Sequence, residues 1–141
     1  MNTEKNYLEH ANLTVRSIDK AVEFFQLAFP EFKIRGGGGI GTDRWLHLGT
    51  EATYIALEQG KDIETNNRPD YVRNAINHLG FVVEDVTAVA ERLISSGYKR
   101  NYPRTAEKFR IRDYFCDADG NEYEFVQYLS DKTEERNLYG N

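Results

Sequence analysis

Residues 113–127, DYFCDADGNEYEFVQ, decide the fold because they predict two strands joined by a tight turn. Asp119-Gly120 is a strong hairpin signal, since glycine accepts the positive φ that such turns require. The flanking runs are rich in Tyr, Phe and Val and alternate with a period of two. On the second strand Tyr123 and Phe125 share one face, so Glu124 lies on the other face in mid-strand. A carboxylate at that position requires either water or a partner.

The elements around this hairpin predict the same order of structure twice. In the first half we predict a helix over 18–28, capped by Ser17, and strands over 7–16, 32–35, 44–48 and 53–59. In the second half we predict a helix to about residue 96, capped by Asp85 or Thr87, and strands over 75–83, 98–102, 109–115 and 122–129. The sequence therefore predicts a tandem repeat of a strand-helix-strand-strand-strand unit.

The connections between these elements are predicted from glycine and proline. The four glycines of 36–39 predict a flexible or tightly turned loop. We expect Pro103 to end the short strand before it. The polar stretch over 60–70 contains Pro69 and is typical of a linker between two halves.

The repeat sets the domain organisation that we expect. At 141 residues the chain has the length of one domain, so we predict a single domain over 1–141 in which the two units pack together. Its parts are module one over about 6–59, a linker over about 60–74, module two over about 75–129 and a C-terminal tail over 130–141. The tail has no clear period and is either a disordered end or an arm that packs on a partner.

Composition excludes several classes of protein. The chain is 40% hydrophobic and 29% charged, with a net charge of -5, so we expect a globular protein that does not bind nucleic acid. No window approaches the roughly 18 apolar residues of a membrane span, and the polar residues 1–10 are unlike a signal peptide. Cys116 is the only cysteine, which excludes an internal disulfide and is typical of a cytoplasmic protein.

The repeat also brings out a group of potential metal ligands. His10 and His78 precede the first predicted strand core of each half, at matching positions. Duplicated units create a pseudo-twofold axis near which matching positions converge. Glu124 follows His78 by 46 residues, in mid-strand. Two imidazoles and a carboxylate are a ligand set suited to a divalent first-row ion.

Three motifs resemble the vicinal oxygen chelate superfamily, which includes glyoxalase I, extradiol dioxygenases, and fosfomycin- and bleomycin-resistance proteins. They are LEHANLTV over 8–15, NHLGFVV over 77–83 and DADGNEYE over 117–124, where Ala118 replaces the usual proline. The resemblance covers about residues 6–129. It implies an α+β fold in which two βαβββ modules in tandem form paired curved mixed sheets, and it implies a homodimer.

The resemblance also implies the site. Metal-binding members use the positions of His10, His78 and Glu124, and the ion is Fe, Mn, Ni or Zn. Glyoxalase I has a fourth ligand, a glutamate on the fourth strand, but the matching position here is Ala56. Glu58 is two residues further along with the same strand parity, and a bulge would bring it into register. Glu124 and Glu58 are then the catalytic carboxylates. Without Glu58 the set is a facial triad with open positions.

Other residues are candidates for substrate binding. Arg110, Arg112 and Tyr114 share one strand face, and the arginines would hold an anionic group if that face lines the cavity. The alternative is a solvated basic outer face. Tyr54, with Trp45, is either a pocket wall or core.

Two further polar residues, Glu122 and His47, are not expected to belong to the site. Glu122 lies near the turn and is expected to be in water. His47 has no histidine twin in module two and is expected to be structural.

The leading functional hypothesis is a metal-dependent lyase, isomerase or dioxygenase that binds adjacent oxygens of a small organic substrate. Glyoxalase I has an arginine four residues after its first ligand and an asparagine four after its fourth-strand glutamate. Thr14 and Asp62 stand at those places here. These departures favour a three-ligand oxygenase or a thiol-transfer resistance enzyme. The alternatives are a metal-free drug-binding protein of the bleomycin-binding type and a regulatory subunit.

Overall fold

The computed structural model describes residues 6–60 and 76–136, and within them it contains eight strands and two α-helices. The chain divides into two compact units, Met1–Thr65 and Asn66–Asn141. Most of the predicted linker, Asp62, the start of the strand predicted from residue 75 and the last five residues of the tail lie outside the described residues. No helix in the described ranges is long and apolar enough to cross a bilayer.

Unit one is a four-stranded mixed sheet with one helix. Its elements are β1 (His10–Val15), α1 (Ile18–Ala28), β2 (Lys33–Gly38), β3 (Trp45–Gly49) and β4 (Tyr54–Gln59), and the sheet order is β1-β4-β3-β2. β1 pairs with β4 in parallel, and the other pairs are antiparallel. α1 begins where Ser17 accepts a hydrogen bond from the Lys20 amide, as predicted.

Unit two repeats this arrangement. Its elements are β5 (His78–Val82), α2 (Val86–Ser95), β6 (Arg100–Ala106), β7 (Arg110–Cys116) and β8 (Glu122–Tyr128), in the order β5-β8-β7-β6 with β5 and β8 parallel. Asp85, rather than Thr87, caps α2 by accepting from the Ala88 amide. Gly97, at φ +90°, ends the helix as predicted. The predicted α+β tandem repeat is confirmed.

Each sheet has a helix-covered face and an opposite face, which we call the open face. α1 packs on β3 and β4, and α2 packs on β7 and β8. Facing strand partners point to the same side, so Leu48 and Ile55 lie under α1, whereas Phe115 and Tyr123 lie under α2. All four are buried. The open faces carry the histidines and most of the candidate site residues.

A matched pair of glutamines ties each sheet to its helix. Gln59 Oε1 accepts a hydrogen bond from the Ile18 amide at 3.1 Å, and Gln127 Oε1 accepts one from the Val86 amide at 3.0 Å. Each bond joins residues 41 positions apart. Both satisfy an amide of the first helical turn, which has no partner within its own helix. The repeat therefore extends to side-chain contacts.

Two connections differ from the prediction. Gly36, Gly37 and Gly38 are not a loop but the end of β2, and a Cβ on Gly37 would lie 2.7 Å from the Trp45 carbonyl oxygen. The strands approach too closely there for a side chain, and only Gly39, at φ +72°, turns the chain. Pro103 does not end its strand, because β6 continues to Ala106. β6 is an edge strand and its register shifts at that point, where the missing N–H is tolerated.

The β7–β8 turn is built around Asp117. Its Oδ1 accepts hydrogen bonds from the Asp119 and Asn121 amides, and its Oδ2 accepts from the Asn121 side chain and the Tyr123 hydroxyl. Gly120 has the positive φ predicted for it, +79°. Burial raises the pKa of Asp117, and these hydrogen bonds oppose that rise.

The described part of the tail packs back on its own sheet. A short 3₁₀ helix, Thr133–Glu135, follows β8, and the Arg136 guanidinium lies 4.9 Å from the centre of the Tyr128 ring. This contact is typical of a cation–π interaction. An arm that packs on a partner stays a prediction.

Candidate functional site

The open face of unit two brings His78 and Glu124 into contact. His78 Nε2 lies 3.0 Å from Glu124 Oε2, and the two side chains are 26% and 17% exposed. Gly80, the strand partner of Glu124, has no side chain that could cover the carboxylate. The mid-strand glutamate therefore has a partner, and both groups remain accessible to a small molecule.

A second carboxylate lies behind the imidazole. His78 Nδ1 is 3.3 Å from Glu122 Oε1, and Glu122 is 4% exposed. The Asn101 side-chain amide on β6 donates a hydrogen bond to Glu122 Oε2. The prediction that Glu122 is in water is wrong, because the side chain is buried between His78 on β5 and Asn101 on β6, which supplies a hydrogen-bond donor.

The other predicted residues of β7 share this face. Tyr114 and Glu124 are direct strand partners, and the edge of the Tyr114 ring meets His78 with centroids 5.8 Å apart. Arg112 Nη1 lies 3.3 Å from the Tyr114 hydroxyl and 3.9 Å from Glu124 Oε1. Burial, and after it the negative charge of Glu124, raises the pKa of the Tyr114 phenol. That hydroxyl therefore keeps its proton at neutral pH and can donate it to a ligand.

Glu107, in the β6–β7 connection, spans the two arginines. Its carboxylate accepts from Arg110 Nε at 2.7 Å and also pairs with Arg112 Nη2. The hydrogen bond from Arg110, with the charge of Arg112, holds the pKa of Glu107 below its usual value. Arg112 Nε is buried without a hydrogen-bond partner.

The open face of unit one is aromatic instead. Tyr54 stacks on His10 at 4.7 Å and on His47 at 4.6 Å between ring centroids, and Trp45 meets the edge of His47. The Arg35 guanidinium lies 4.2 Å from the centre of the Tyr54 ring. His47 is thus part of a continuous layer of rings on the face that carries His10.

The position of Glu58 follows from the register of β4. His10 pairs with Tyr54, and the pairing runs without a shift to Gln59, so the bulge that would move Glu58 is absent. Glu58 lies four residues beyond Tyr54, about 13 Å along the strand from the level of His10. The expected parity with Ala56 is observed. Its role as a ligand or catalytic carboxylate stays a prediction.

The donors in unit two fit a divalent ion. Two adjacent ligands of an octahedral ion, with bonds of about 2.1 Å, are about 3.0 Å apart, and His78 Nε2 and Glu124 Oε2 have this separation in their hydrogen-bonded contact. Across the described residues, no group of three or more His, Cys, Asp and Glu side chains is arranged to hold a metal. His78 and Glu124 therefore provide two suitably spaced ligand atoms, and His10 as a third ligand stays a prediction.

Sequence reasoning missed two members of this face, Asn101 and Glu107. Both lie on β6 or just after it, where the register shifts twice. Alternation therefore could not assign a face to Asn101. For Glu107, the only signal in the sequence was its position three residues before Arg110, a spacing at which the two side chains can form an ion pair.

Comparisons with known proteins agree with this architecture. The family model described as Glyoxalase/Bleomycin resistance protein/Dioxygenase superfamily matches residues 7–125. A glyoxylase/bleomycin resistance protein/dioxygenase domain from Frankia sp. is 25% identical, with a TM-score of 0.71 over 89% of this chain and 99% of that chain. No protein with a curated description matches the sequence.

Two further solved structures share the fold at lower identity. The fosfomycin resistance protein FosX from Listeria monocytogenes is 19% identical, with a TM-score of 0.69 over 95% of this chain and 100% of that chain. The trypanothione-dependent glyoxalase I of Leishmania major is 17% identical, with a TM-score of 0.67 over 87% of each chain.

Proposed function

The chain belongs to the glyoxalase/bleomycin resistance protein/dioxygenase superfamily, and from that premise we propose that it is an enzyme that uses a divalent metal ion to act on a small organic substrate. The observation that carries the proposal is the contact between His78 Nε2 and Glu124 Oε2, whose 3.0 Å separation suits two ligands of one ion. His10 is the proposed third ligand, as the family resemblance implies. A divalent ion would supply Lewis-acid stabilisation of negative charge on a substrate oxygen.

The chain's own residues would bind and orient the substrate. Arg112 and Arg110, whose side chains are 24% and 22% exposed, would hold an anionic group, while Tyr114 donates a hydrogen bond to a substrate oxygen. Glu124 would act as both ligand and catalytic carboxylate. The unshifted register of β4 and the alanine at position 56 support a set of three ligands over four. That favours a dioxygenase or thiol-transfer type of chemistry over a glyoxalase I type.

Metal uptake tests this proposal. Protein stripped with a chelator should take up about one equivalent per chain of Mn²⁺, Ni²⁺, Zn²⁺ or, under anaerobic conditions, Fe²⁺. His78→Ala and His10→Ala should each abolish uptake. His47→Ala is the matched control, because His47 packs between aromatic rings, and it should leave uptake unchanged. Less than about a tenth of an equivalent of every ion would contradict the proposal.

The aromatic face of unit one supports a second candidate, a metal-free protein that binds an aromatic or cationic drug. Trp45 is 42% exposed on that face, beside the ring layer that includes Tyr54. Stacked rings are a favourable surface for such ligands. Because Trp45 is the only tryptophan, quenching of its fluorescence by bleomycin in metal-free protein would favour this candidate. Quenching that requires added metal would favour the enzyme.

The proposed assembly is a homodimer, as the resemblance implies, and a cytoplasmic location stays a prediction. Light scattering coupled to size-exclusion chromatography measures the mass directly. A mass near twice the 16.3 kDa of one chain is expected.

A further inference from the structure

Glu122 is a buried acidic side chain on the open face of unit two. It is the first residue of β8 and is 4% exposed. A buried carboxylate is strongly unfavourable unless hydrogen bonds or a charge compensate for lost water. Here the Asn101 side chain donates to one of its oxygens, and His78 lies against the other. The fold thus holds this carboxylate in one orientation.

The two glutamates approach opposite nitrogens of the same ring. Glu124 lies at Nε2 and Glu122 lies at Nδ1. An ion on the Nε2 side is therefore outside the reach of Glu122, which contacts the far edge of the imidazole. Glu122 is suited to accept a hydrogen bond from Nδ1–H, and this bond leaves the lone pair on Nε2.

The matching position in unit one is occupied differently. Tyr54, the counterpart of Glu122, is the strand partner of His10 and stacks on its ring. The carboxylate at His10 Nδ1 comes instead from Glu9, at 2.9 Å, and that side chain is 52% exposed. Solvent competes for the Glu9 contact, whereas it is excluded from Glu122. The buried contact is the one able to hold a fixed tautomer.

We propose that Glu122 is a positioning residue that fixes the Nδ1–H tautomer and the orientation of His78, so that Nε2 is presented as a ligand for a divalent cation. This inference rests on the proposed function. A carboxylate on the distal nitrogen of a ligating histidine fixes the ring and raises its basicity, and its loss typically lowers metal affinity about 10- to 100-fold. Asn101 contributes by holding the carboxylate in place.

Metal titration of matched variants tests the proposal. Glu122→Gln keeps the size of the side chain but not its charge, and it should weaken Zn²⁺ binding to the stripped protein about 10- to 100-fold. Glu9→Gln is the exposed control and should weaken it far less. Unchanged affinity in Glu122→Gln, or an equal loss in both variants, would overturn the assignment. Absence of binding in the parent protein would instead overturn the proposed function, and this inference with it.

The nitrogen resonances of His78 give a readout that does not depend on activity. The chain has three histidines, so ¹⁵N-labelled Zn²⁺-loaded protein can be assigned with single histidine variants. We expect Nε2 to carry the metal and Nδ1 to carry a proton that exchanges slowly and shifts upfield in Glu122→Gln. Metal on Nδ1 would overturn the proposal, and this result can be obtained in the parent protein even if the variant does not fold.

Discussion

The two units have the same backbone plan and different open faces. Both sheets pair their outer and inner strands in the same order and direction, and both tie a glutamine to the start of the helix. The strand partners match Glu58 of unit one with Val126 of unit two on the open faces. Five other matched positions differ in the opposite direction. Four lie on the open faces, Tyr54 and Glu122, Ala56 and Glu124, His47 and Tyr114, and Trp45 and Arg112, and the fifth, Leu46 and Asp113, lies on the helix-covered faces. Unit one carries aromatic or apolar groups at all five, whereas unit two carries charges at four.

This difference shows that the fold does not restrict the type of side chain on the open faces. Pairing of the strands uses backbone groups only, and the helix covers only one face of each sheet. The open face can therefore change from stacked rings to a network of charges without altering the register. In unit one, a ring stack holds His10, whereas in unit two hydrogen-bonded carboxylates hold His78.

The largest expected effect lies at the matched pair Leu46 and Asp113. Asp113 is fully buried and pairs with Arg100 at 2.8 Å and with Arg104 at 2.6 Å. Asp113→Ala leaves two arginines without their shared anion. Because both arginines are about a third exposed, we expect a loss of about 3 kcal/mol, the lower end for a broken buried pair. Urea unfolding at pH 7 measures it.

Leu46→Ala is the apolar counterpart and should lower the free energy of unfolding by about 2–3 kcal/mol through cavity formation. If Asp113→Ala lowers the free energy of unfolding less than Leu46→Ala does, the ionic cluster contributes less to stability than the apolar contact, contrary to this expectation.

The next effect concerns the two turns. Asp117→Ala should lower the free energy of unfolding by about 2–3 kcal/mol, because four hydrogen bonds are lost and the buried Tyr123 hydroxyl loses its acceptor. In unit one the corresponding turn is held by the exposed Thr50 hydroxyl. Thr50→Ala should therefore lower it by less than about 1 kcal/mol. Thermal and urea unfolding measure both losses. Equal losses in Asp117→Ala and Thr50→Ala would contradict the expectation.

A smaller effect distinguishes the two matched glutamines. Gln127→Ala should lower the free energy of unfolding by about 1 kcal/mol through loss of the bond to the Val86 amide. Gln59→Ala should lower it more, because the Gln59 amide also donates to the carbonyls of Arg16 and Gly60. Hydrogen exchange of the Ile18 and Val86 amides should quicken in the respective variant only.

The smallest effect is the pH dependence that Glu107 gives to unit two. The folded-state pKa of Glu107 is depressed, so its contribution is present above the unfolded value of about 4.3 and is lost as pH falls through the folded value. Glu107 is 42% exposed, so the contribution should stay below about 1 kcal/mol. Glu107→Gln should differ from the parent at pH 7 and converge with it near pH 3 in urea unfolding. A difference that grows on acidification would refute this.

Much of the fold could be predicted because it rests on local patterns. Ser17 and Asp85 mark the helix starts through hydrogen bonds to amides three residues away. Strand alternation assigned Glu124 to the face opposite Tyr123 and Phe125, and the repeat matched His10 with His78. Each of these inferences uses only the period of a strand or helix and the spacing of neighbouring residues.

The sequence by itself thus determined the order of elements, the repeat and the face on which Glu124 lies. Only the tertiary structure decided that Glu122 is buried, that Gly36–Gly38 form a strand, and that Glu107 binds two arginines. In each case the deciding partner comes from another strand: Asn101 for Glu122, Trp45 for the glycines, and Arg110 and Arg112 for Glu107. Burial and pairing of polar groups depend on such contacts, which the periodicity of a single strand does not encode.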